Sequence, residues 1–333
     1  MTAGESEPAS ISTPELHVAP GPHLSSQSST TRRMMLDVLL GLLPVMGMAV
    51  AVFRWYAVLQ ISLCVAGCLV AEALFAFWRG RRAPMADLSA AVTGVILGLS
   101  LPWSAPWYVG VVASFVAIGL GKAVFGGLGQ NIFNPAMVGR AFVMISFASV
   151  MGATAYVRPG IAVEVLTRAT PLTAAKEAAG TELPGLWMMF VGNTNGSLGE
   201  TSALACLLGG AYLCWRRAAS WEVPLSVLAG AATIAAVANL VNPETPLTVL
   251  HHLLGGALIF GAFFIATDPV TNPLTQRGKV VFGVGVGVLV VVIRLLSNYP
   301  EGVVFAILLM NAMVPLINRW MVPRPFGGPL PTR

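Results

Sequence analysis

The sequence has too few charged residues to cover the surface of a soluble protein. Only 10% of its 333 residues are Asp, Glu, Lys or Arg, whereas soluble domains carry about 25%. Hydrophobic residues make up 56% of the chain, and the mean hydropathy is +0.78. This scarcity excludes an ordinary soluble domain and indicates a membrane protein with several spans. The net charge of +5 therefore belongs to the loops of a membrane protein, and no nucleic-acid partner is expected.

Cysteine, histidine and nucleotide-binding motifs are scarce as well. Cys64, Cys68, Cys206 and Cys214 lie in apolar runs, where cysteine usually acts as a small hydrophobe. The Cys64–Cys68 spacing leaves a metal pair as the less favoured alternative, and the four histidines show no metal-ligand spacing. A P-loop, a dinucleotide-binding fingerprint and a catalytic triad pattern are all missing. The sequence therefore predicts neither a metal site nor NAD binding through a known motif.

Long hydrophobic runs dominate the remainder of the chain. Ten apolar segments can be counted, and most reach the roughly 20 residues that cross a hydrocarbon core. They span residues 35–53, 56–78, 87–103, 107–125, 136–155, 199–215, 222–241, 247–266, 280–297 and 302–320. Fourteen of the 19 Lys and Arg residues fall in the termini and the even-numbered loops. The positive-inside rule then predicts that both termini are cytoplasmic.

One long polar stretch separates the first five segments from the last five. An odd number of spans per half inserts the two halves in opposite orientation, which predicts an inverted repeat. The N-terminal stretch lacks the apolar core of a signal peptide. The predicted division is a flexible cytoplasmic tail (1–31), a first five-helix repeat (32–155), a periplasmic loop (156–198), a second five-helix repeat (199–320) and a cytoplasmic tail (321–333).

Two stretches interrupt the apolar pattern at membrane level. The first break, residues 126–136, and the second break, residues 267–278, each contain an Asn-Pro pair, which ends one helix and starts the next. Unwound backbone in a membrane protein is tolerated where it lines a cavity or binds a ligand. An ordinary interfacial loop with a capped helix is the alternative. The candidate binding residues are Asn131, Asn134, Asp268 and Asn272.

Acidic residues in or beside the spans are few, and each is a candidate for function. Glu72 lies deepest, and Arg79 is close enough in sequence to pair with it. Asp87 and Glu200 precede helical segments, so the favoured interpretation is that they complement helix dipoles.

A single threonine stands out in the predicted periplasmic loop. Thr170 precedes proline, then good helix formers and Gly180, which is the pattern of a helix start. The free N–H groups of a helix N-terminus suit a phosphate. From the residues alone, a simple helix cap at Thr170 is favoured over a modification site.

The motif around Thr170 favours a modification site over a simple helix cap. Residues 167–172, Thr-Arg-Ala-Thr-Pro-Leu, resemble the flavinylation motif of Rnf and sodium-pumping quinone reductase complexes, in which the final Thr carries FMN through a phosphoester bond. Further matching stretches cover nearly all of the chain beyond the N-terminal tail: residues 36–44, 126–136, 196–202, 267–278 and 299–311. The chain is thus similar to the NqrB/RnfD family, and most of all to its RnfD branch, from the Rnf ion-translocating electron-transport complex. The B subunit of the sodium-pumping NADH:quinone reductase is the alternative, although it is longer at its N-terminus.

The motif departs from the family pattern Asp-x-x-Ser-Gly-Ala-Thr at three positions. Glu164 replaces the Asp and Thr167 replaces the Ser, and both changes keep the chemistry. Arg168 replaces the Gly. It either pairs with the flavin phosphate or slows the flavin transferase. Ala169 and Thr170 are unchanged.

The resemblance implies an all-α, urea-transporter-like fold with ten transmembrane helices in a bacterial inner membrane. It implies covalent FMN on Thr170, with Thr167, Arg168 and Ala169 around it, and a noncovalent riboflavin or second flavin near the two breaks. The implied role is electron relay between NADH and ferredoxin, coupled to Na⁺ or H⁺ translocation. The implied partners are iron–sulfur and NADH-binding subunits, a second FMN-bearing subunit and a periplasmic flavin transferase. A solute channel or transporter of the same fold, and a scaffold in which Thr170 only caps a helix, remain the alternatives.

Overall fold

The computed structural model describes residues 30–80, 87–151, 185–192, 196–243, 247–297 and 302–321. The flavinylation motif, with Thr167, Arg168, Ala169 and Thr170, lies outside these ranges. All regular elements in the described ranges are helical, and the one β feature among them is an isolated bridge between Pro102 and Ser197. The predicted all-α class is therefore confirmed.

Thirteen α-helices are labelled here in chain order for the described residues. They are α1 (Thr31–Phe53), α2 (Trp55–Trp78), α3 (Ser89–Ser100), α4 (Trp107–Ile118), α5 (Pro135–Ser146), α6 (Ala148–Met151), α7 (Leu186–Val191), α8 (Ala203–Trp215), α9 (Glu222–Val241), α10 (Val249–Leu254), α11 (Leu258–Phe260), α12 (Gln276–Leu296) and α13 (Val303–Trp320). Two π-helical turns, Gly119–Ala123 and Gly261–Ile265, extend α4 and α11.

Five of these helices are long and apolar enough to cross a membrane: α1, α2, α9, α12 and α13. Four shorter apolar helices lie among them, namely α3, α4 with its π turn, α5 and α8. Each of the ten predicted segments contains a helix, and the chain has the helices of a multi-pass membrane protein. Polar side chains set several of the helix starts. Asn134, just before Pro135, accepts a hydrogen bond from the N–H of Met137 at 3.3 Å, and Thr275 accepts one from Gly278 at 3.1 Å.

The eighth segment, predicted as one span over residues 247–266, is broken. Helix α10 ends at Leu254, and α11 with its π turn begins only at Leu258. Gly256 between them has a φ of +67°, a conformation that glycine adopts without a steric penalty. Arg294 of α12 donates from Nη1 to the carbonyl of His252 at 2.6 Å and from Nη2 to the carbonyl of Gly255 at 2.9 Å. A buried guanidinium thus replaces the backbone hydrogen bonds that the break removes.

Helices α9 and α12 pack closely because glycine faces backbone at their contact. A Cβ added at Gly287 of α12 would lie 2.7 Å from the backbone nitrogen of Ala231. A Cβ added at Gly230 of α9 would lie 2.6 Å from the carbonyl oxygen of Val284. Small residues at such positions let membrane helices approach each other, which is where their packing energy arises.

We expect Gly287→Ala to destabilise the protein, because the added methyl group meets backbone that has no rotamer to change. The expected loss is about 1–3 kcal/mol, typical of overpacking a close contact. The measurement is the thermal unfolding midpoint in detergent. The matched control is Gly47→Ala in α1, since a Cβ at Gly47 meets no atom within 4 Å. Equal midpoints for the two variants would contradict the proposed contact.

Candidate functional site where the two breaks meet

The two sequence breaks lie against each other inside the protein. The amide nitrogen Nδ2 of Asn134, in the first break, lies 3.5 Å from Asp268 Oδ2 and 3.5 Å from the carbonyl oxygen of Ile265. Its Oδ1 is occupied by the cap of α5. Asn134 therefore joins the second break to α5, the helix that follows the first break.

Asn311 of α13 bridges both breaks from the other side. Its Oδ1 accepts a hydrogen bond from the N–H of Asn134 at 3.2 Å. Its Nδ2 donates to the carbonyl oxygen of Thr271 at 3.2 Å. The side chain is almost fully buried, at 1% exposure. Sequence reasoning assigned Asn311 no role, although an amide in the middle of an apolar segment was an available signal.

A cavity opens beside this contact and is called the inner cavity here. Asn131, Asn134 and Asp268 line it, together with Ser89 and Lys122. Its apolar walls include Met34, Met35, Val38, Val92, Ile96 and Phe264. The cavity volume is about 70 Å³. Three of the four predicted binding residues at the breaks thus share one cavity.

The polar groups at the cavity differ in how they are satisfied. Asn131 donates from Nδ2 to the carbonyl oxygen of Phe133 at 3.1 Å, while its buried Oδ1 has no partner in the described part of the chain. Asn272, the fourth predicted residue, is buried and does not line the cavity, and its Oδ1 also lacks a partner among the described residues. Two buried acceptor oxygens are therefore left without a donor, which is costly unless a ligand or water supplies one.

Asp268 lies beyond the end of the eighth segment and is held by its own turn. Its Oδ1 accepts from the N–H of Val270 at 3.2 Å, and its Oδ2 accepts from the hydroxyl of Thr271 at 3.2 Å. Burial raises the pKa of Asp268 to about 6, and these two hydrogen bonds oppose that rise. The inner cavity therefore holds a carboxyl group whose charged form is disfavoured by burial.

Glu72 pairs with a residue that the sequence did not suggest. Arg79 was a possible partner from the sequence, but Glu72 binds the ammonium of Lys122. Lys122 also donates to Ser89 Oγ at 2.5 Å. Ser89 in turn donates from its hydroxyl and its N–H to Asp87 Oδ1, at 2.7 and 2.8 Å. Asp87 thus serves the start of α3, as predicted, and a lysine inside the fourth apolar segment was the overlooked signal.

Glu200 has a partner beyond the helix dipole that sequence reasoning gave it. Arg140 Nη2 of α5 lies 3.9 Å from Glu200 Oε1, and the Ser197 hydroxyl donates to the same carboxylate. Both charged side chains are at most 5% exposed. This ion pair ties α5 to the turn that precedes α8.

Known proteins are similar to this chain over most of its length. A model of the NQR2, RnfD, RnfE family matches residues 17–327. The chain is 38% identical to the D subunit of the Na(+)-translocating ferredoxin:NAD(+) oxidoreductase complex of Acetobacterium woodii, over 94% of this chain and 95% of that protein. It is 40% identical to the D subunit of the ion-translocating oxidoreductase complex of Stutzerimonas stutzeri, over 90% and 93%. It is 36% identical to the D subunit of the proton-translocating ferredoxin:NAD(+) oxidoreductase complex of Clostridium ljungdahlii, over 93% and 96%. The chain therefore belongs to the NQR2, RnfD, RnfE family.

Proposed function

We propose that this chain is the membrane-embedded D subunit of an Rnf-type complex in a bacterial inner membrane. In this role it relays electrons through flavin between NADH and ferredoxin, coupled to translocation of Na⁺ or H⁺. The observation that carries the proposal is full-length similarity to relatives that are named as the D subunits of such complexes. The electron donors and acceptors lie in partner subunits: NADH-binding and iron–sulfur subunits and a second FMN-bearing subunit.

The covalent cofactor of the proposal is FMN, attached to Thr170 by a phosphoester bond. Support comes from the motif of Thr167, Arg168, Ala169 and Thr170 and from its predicted place in a periplasmic loop, where a flavin transferase has access. The test is expression with and without that transferase, followed by ultraviolet illumination of a denaturing gel. We expect a fluorescent band only with the transferase. A dark band in its presence would rule out covalent flavin.

The inner cavity is the proposed place of a second, noncovalent flavin. A bound flavin would supply one- and two-electron redox chemistry. The unpaired Oδ1 of Asn131 fits the N–H edge of such a ring, and Asn134 and Asp268 add a donor and a carboxyl group. The volume of about 70 Å³ is smaller than cavities that hold a benzene ring, so the walls must separate to admit a flavin. The test is extraction of noncovalent flavin from the purified complex, and its loss in Asn131→Leu.

The fold proposed with this function has ten transmembrane helices in two inverted repeats, as in urea transporters. Helix packing supports it, since α2 packs on α4 in the first half as α9 packs on α12 in the second. Likewise, α4 packs on α5 as α12 packs on α13. The halves meet through α1 with α8 and through α5 with α13, which are equivalent helices in this scheme. An experimental structure in lipid tests the arrangement.

A solute channel or transporter is the second candidate, favoured by the broken eighth segment and the cavity beside it. Transporters of inverted-repeat folds bind substrate where discontinuous helices meet. This candidate predicts solute uptake by the purified chain in liposomes and an absence of bound flavin. Flavin analysis of the purified complex therefore separates the two proposals.

A further inference from the structure

A second cavity shares the lining residues Lys122 and Leu128 with the inner cavity and is called the vestibule here. Glu72, Arg79, Asp87, Lys122 and Gln130 line it, and its volume is about 310 Å³. These residues lie on the side that the charge pattern predicts to be cytoplasmic. Lys122 is 5% exposed and lines both cavities, so this residue belongs to the wall of each.

A continuous set of hydrogen bonds joins residues that line the two cavities. Lys122 donates to Ser89, which lines the inner cavity, and Ser89 donates to Asp87, which lines the vestibule. Glu72 holds the same ammonium, and its second carboxylate oxygen has no hydrogen-bond partner among the described residues. A chain of an ammonium, a hydroxyl and a carboxylate is able to pass a proton along its length, because the ammonium is an acid, the carboxylate is a base and the hydroxyl between them both donates and accepts.

We propose that Lys122 donates a proton to the inner cavity and regains it from the vestibule through Ser89 and Asp87. Glu72 is the positioning residue that holds the ammonium of Lys122 in the wall. This inference rests on the proposed function, since it requires a redox group in the inner cavity that takes up protons when it is reduced.

Each proton that leaves Lys122 is replaced from the vestibule. Two electrons arrive from the partner subunits, and one proton leaves the Lys122 ammonium for the reduced group in the inner cavity. Lys122 is then a neutral amine. A vestibule water protonates Asp87, the Asp87 proton passes to the Ser89 oxygen, and the Ser89 hydroxyl proton passes to the Lys122 amine. Each reduction therefore removes one proton from the vestibule and leaves the side chains unchanged.

The other charged groups around Lys122 do not line both cavities. Arg79, which follows α2, lines the vestibule alone, and Asp268 lines the inner cavity alone. Arg140 of α5 is paired with Glu200. Among the charged side chains that line the two cavities, only Lys122 borders both. The competing explanation is that the ion pair of Lys122 with Glu72 only stabilises the fold. The variants must therefore separate proton donation from structural stabilisation.

The experiment uses the purified complex with its flavins. Reduced ferredoxin is mixed with it, and proton uptake from the solution is followed with a pH indicator dye while flavin absorbance reports electron arrival. Oxidation of ferredoxin releases no proton, so the dye reports uptake by the complex. Lys122→Arg keeps the positive charge beside Glu72, but an arginine does not give up its proton in a protein. We expect proton uptake to slow by roughly 100-fold in this variant, the typical contribution of a positioned acid.

A second variant and a matched control complete the test. Ser89→Ala leaves the ion pair in place and removes the hydroxyl, and we expect the same slowing. Lys279→Arg is the control, because Lys279 also donates to a serine hydroxyl, that of Ser220 at 2.5 Å, and lines neither cavity. Uptake at the rate of the unaltered complex in both test variants would overturn the proposal and leave Lys122 a structural ion-pair partner. A wild-type complex without noncovalent flavin would refute the proposed function instead.

Discussion

The Thr170→Ala variant is expected to carry no covalent flavin, whereas the wild-type chain is expected to carry one per molecule. A phosphoester needs the threonine oxygen, and alanine offers none, so the loss should be complete. The measurement is ultraviolet fluorescence of the denatured band, with the mass of the intact chain as a second readout. Thr173→Ala is the matched control, since it removes a hydroxyl three residues further along the same stretch.

The alternative role of Thr170 predicts a different outcome. As a helix cap alone, Thr170→Ala would cost about 1 kcal/mol of local stability, and neither chain would fluoresce. Thr170→Ser would then behave like the wild type, because serine caps helices as well as threonine does. Fluorescence that persists in Thr170→Ala would show that flavin is attached to another residue, and this result would contradict the assignment to Thr170.

The second large effect is expected for Asn311→Leu. This change leaves the N–H of Asn134 and the carbonyl of Thr271 buried without the partners they now have. Each unsatisfied group costs about 1–3 kcal/mol, and the leucine must fit a space shaped for an amide. We expect a large fall in the thermal unfolding midpoint and loss of the proposed noncovalent flavin, because the two breaks lose the bridge from α13 and keep only the contacts that Asn134 makes with Asp268 and Ile265.

The chain offers a close control for that variant. Asn318 is on the same helix, α13, and its Oδ1 accepts a hydrogen bond from the N–H of Leu274 at 3.0 Å, in a more exposed setting. Water replaces that partner in Asn318→Leu, so the midpoint should change little. If Asn311→Leu lowers the unfolding midpoint as little as Asn318→Leu does, the bridge between the breaks contributes little to stability.

Local features of the fold were predictable because they depend on neighbouring residues. Apolar runs located the helices, and the Asn-Pro pair at Asn134 located the start of α5. The break in the eighth segment was not predicted, since Gly255 and Gly256 lie in an apolar run that extends from Leu253 to Ala266. Its stability depends on Arg294, about 40 residues away, which the sequence placed among the outward-facing charges.

The partners of residues in the candidate site were less predictable, because they lie far apart in the sequence. Asn134 and Asp268 were each proposed from their own breaks, yet their contact spans 134 positions of sequence. Lys122 was counted as a loop cation, and only the packing of α2, α3 and the π turn after α4 reveals its bonds to Glu72 and Ser89. Single residues with unusual chemistry can be found from a sequence, whereas the pairs they form depend on tertiary packing.

The short helix α3 has an electrical consequence. Twelve residues extend about 18 Å, less than the roughly 30 Å thickness of the hydrocarbon core. Its end is joined to Ser197 by the bridge from Pro102, and Asp87, which lines the vestibule, lies just before its start. In a membrane, a voltage of 100 mV is worth about 2.3 kcal/mol for each elementary charge that crosses it. Under the proposed function, a charge that moves through the inner cavity would cross part of that voltage, so the energised state of the membrane would adjust the driving force of the proposed reaction.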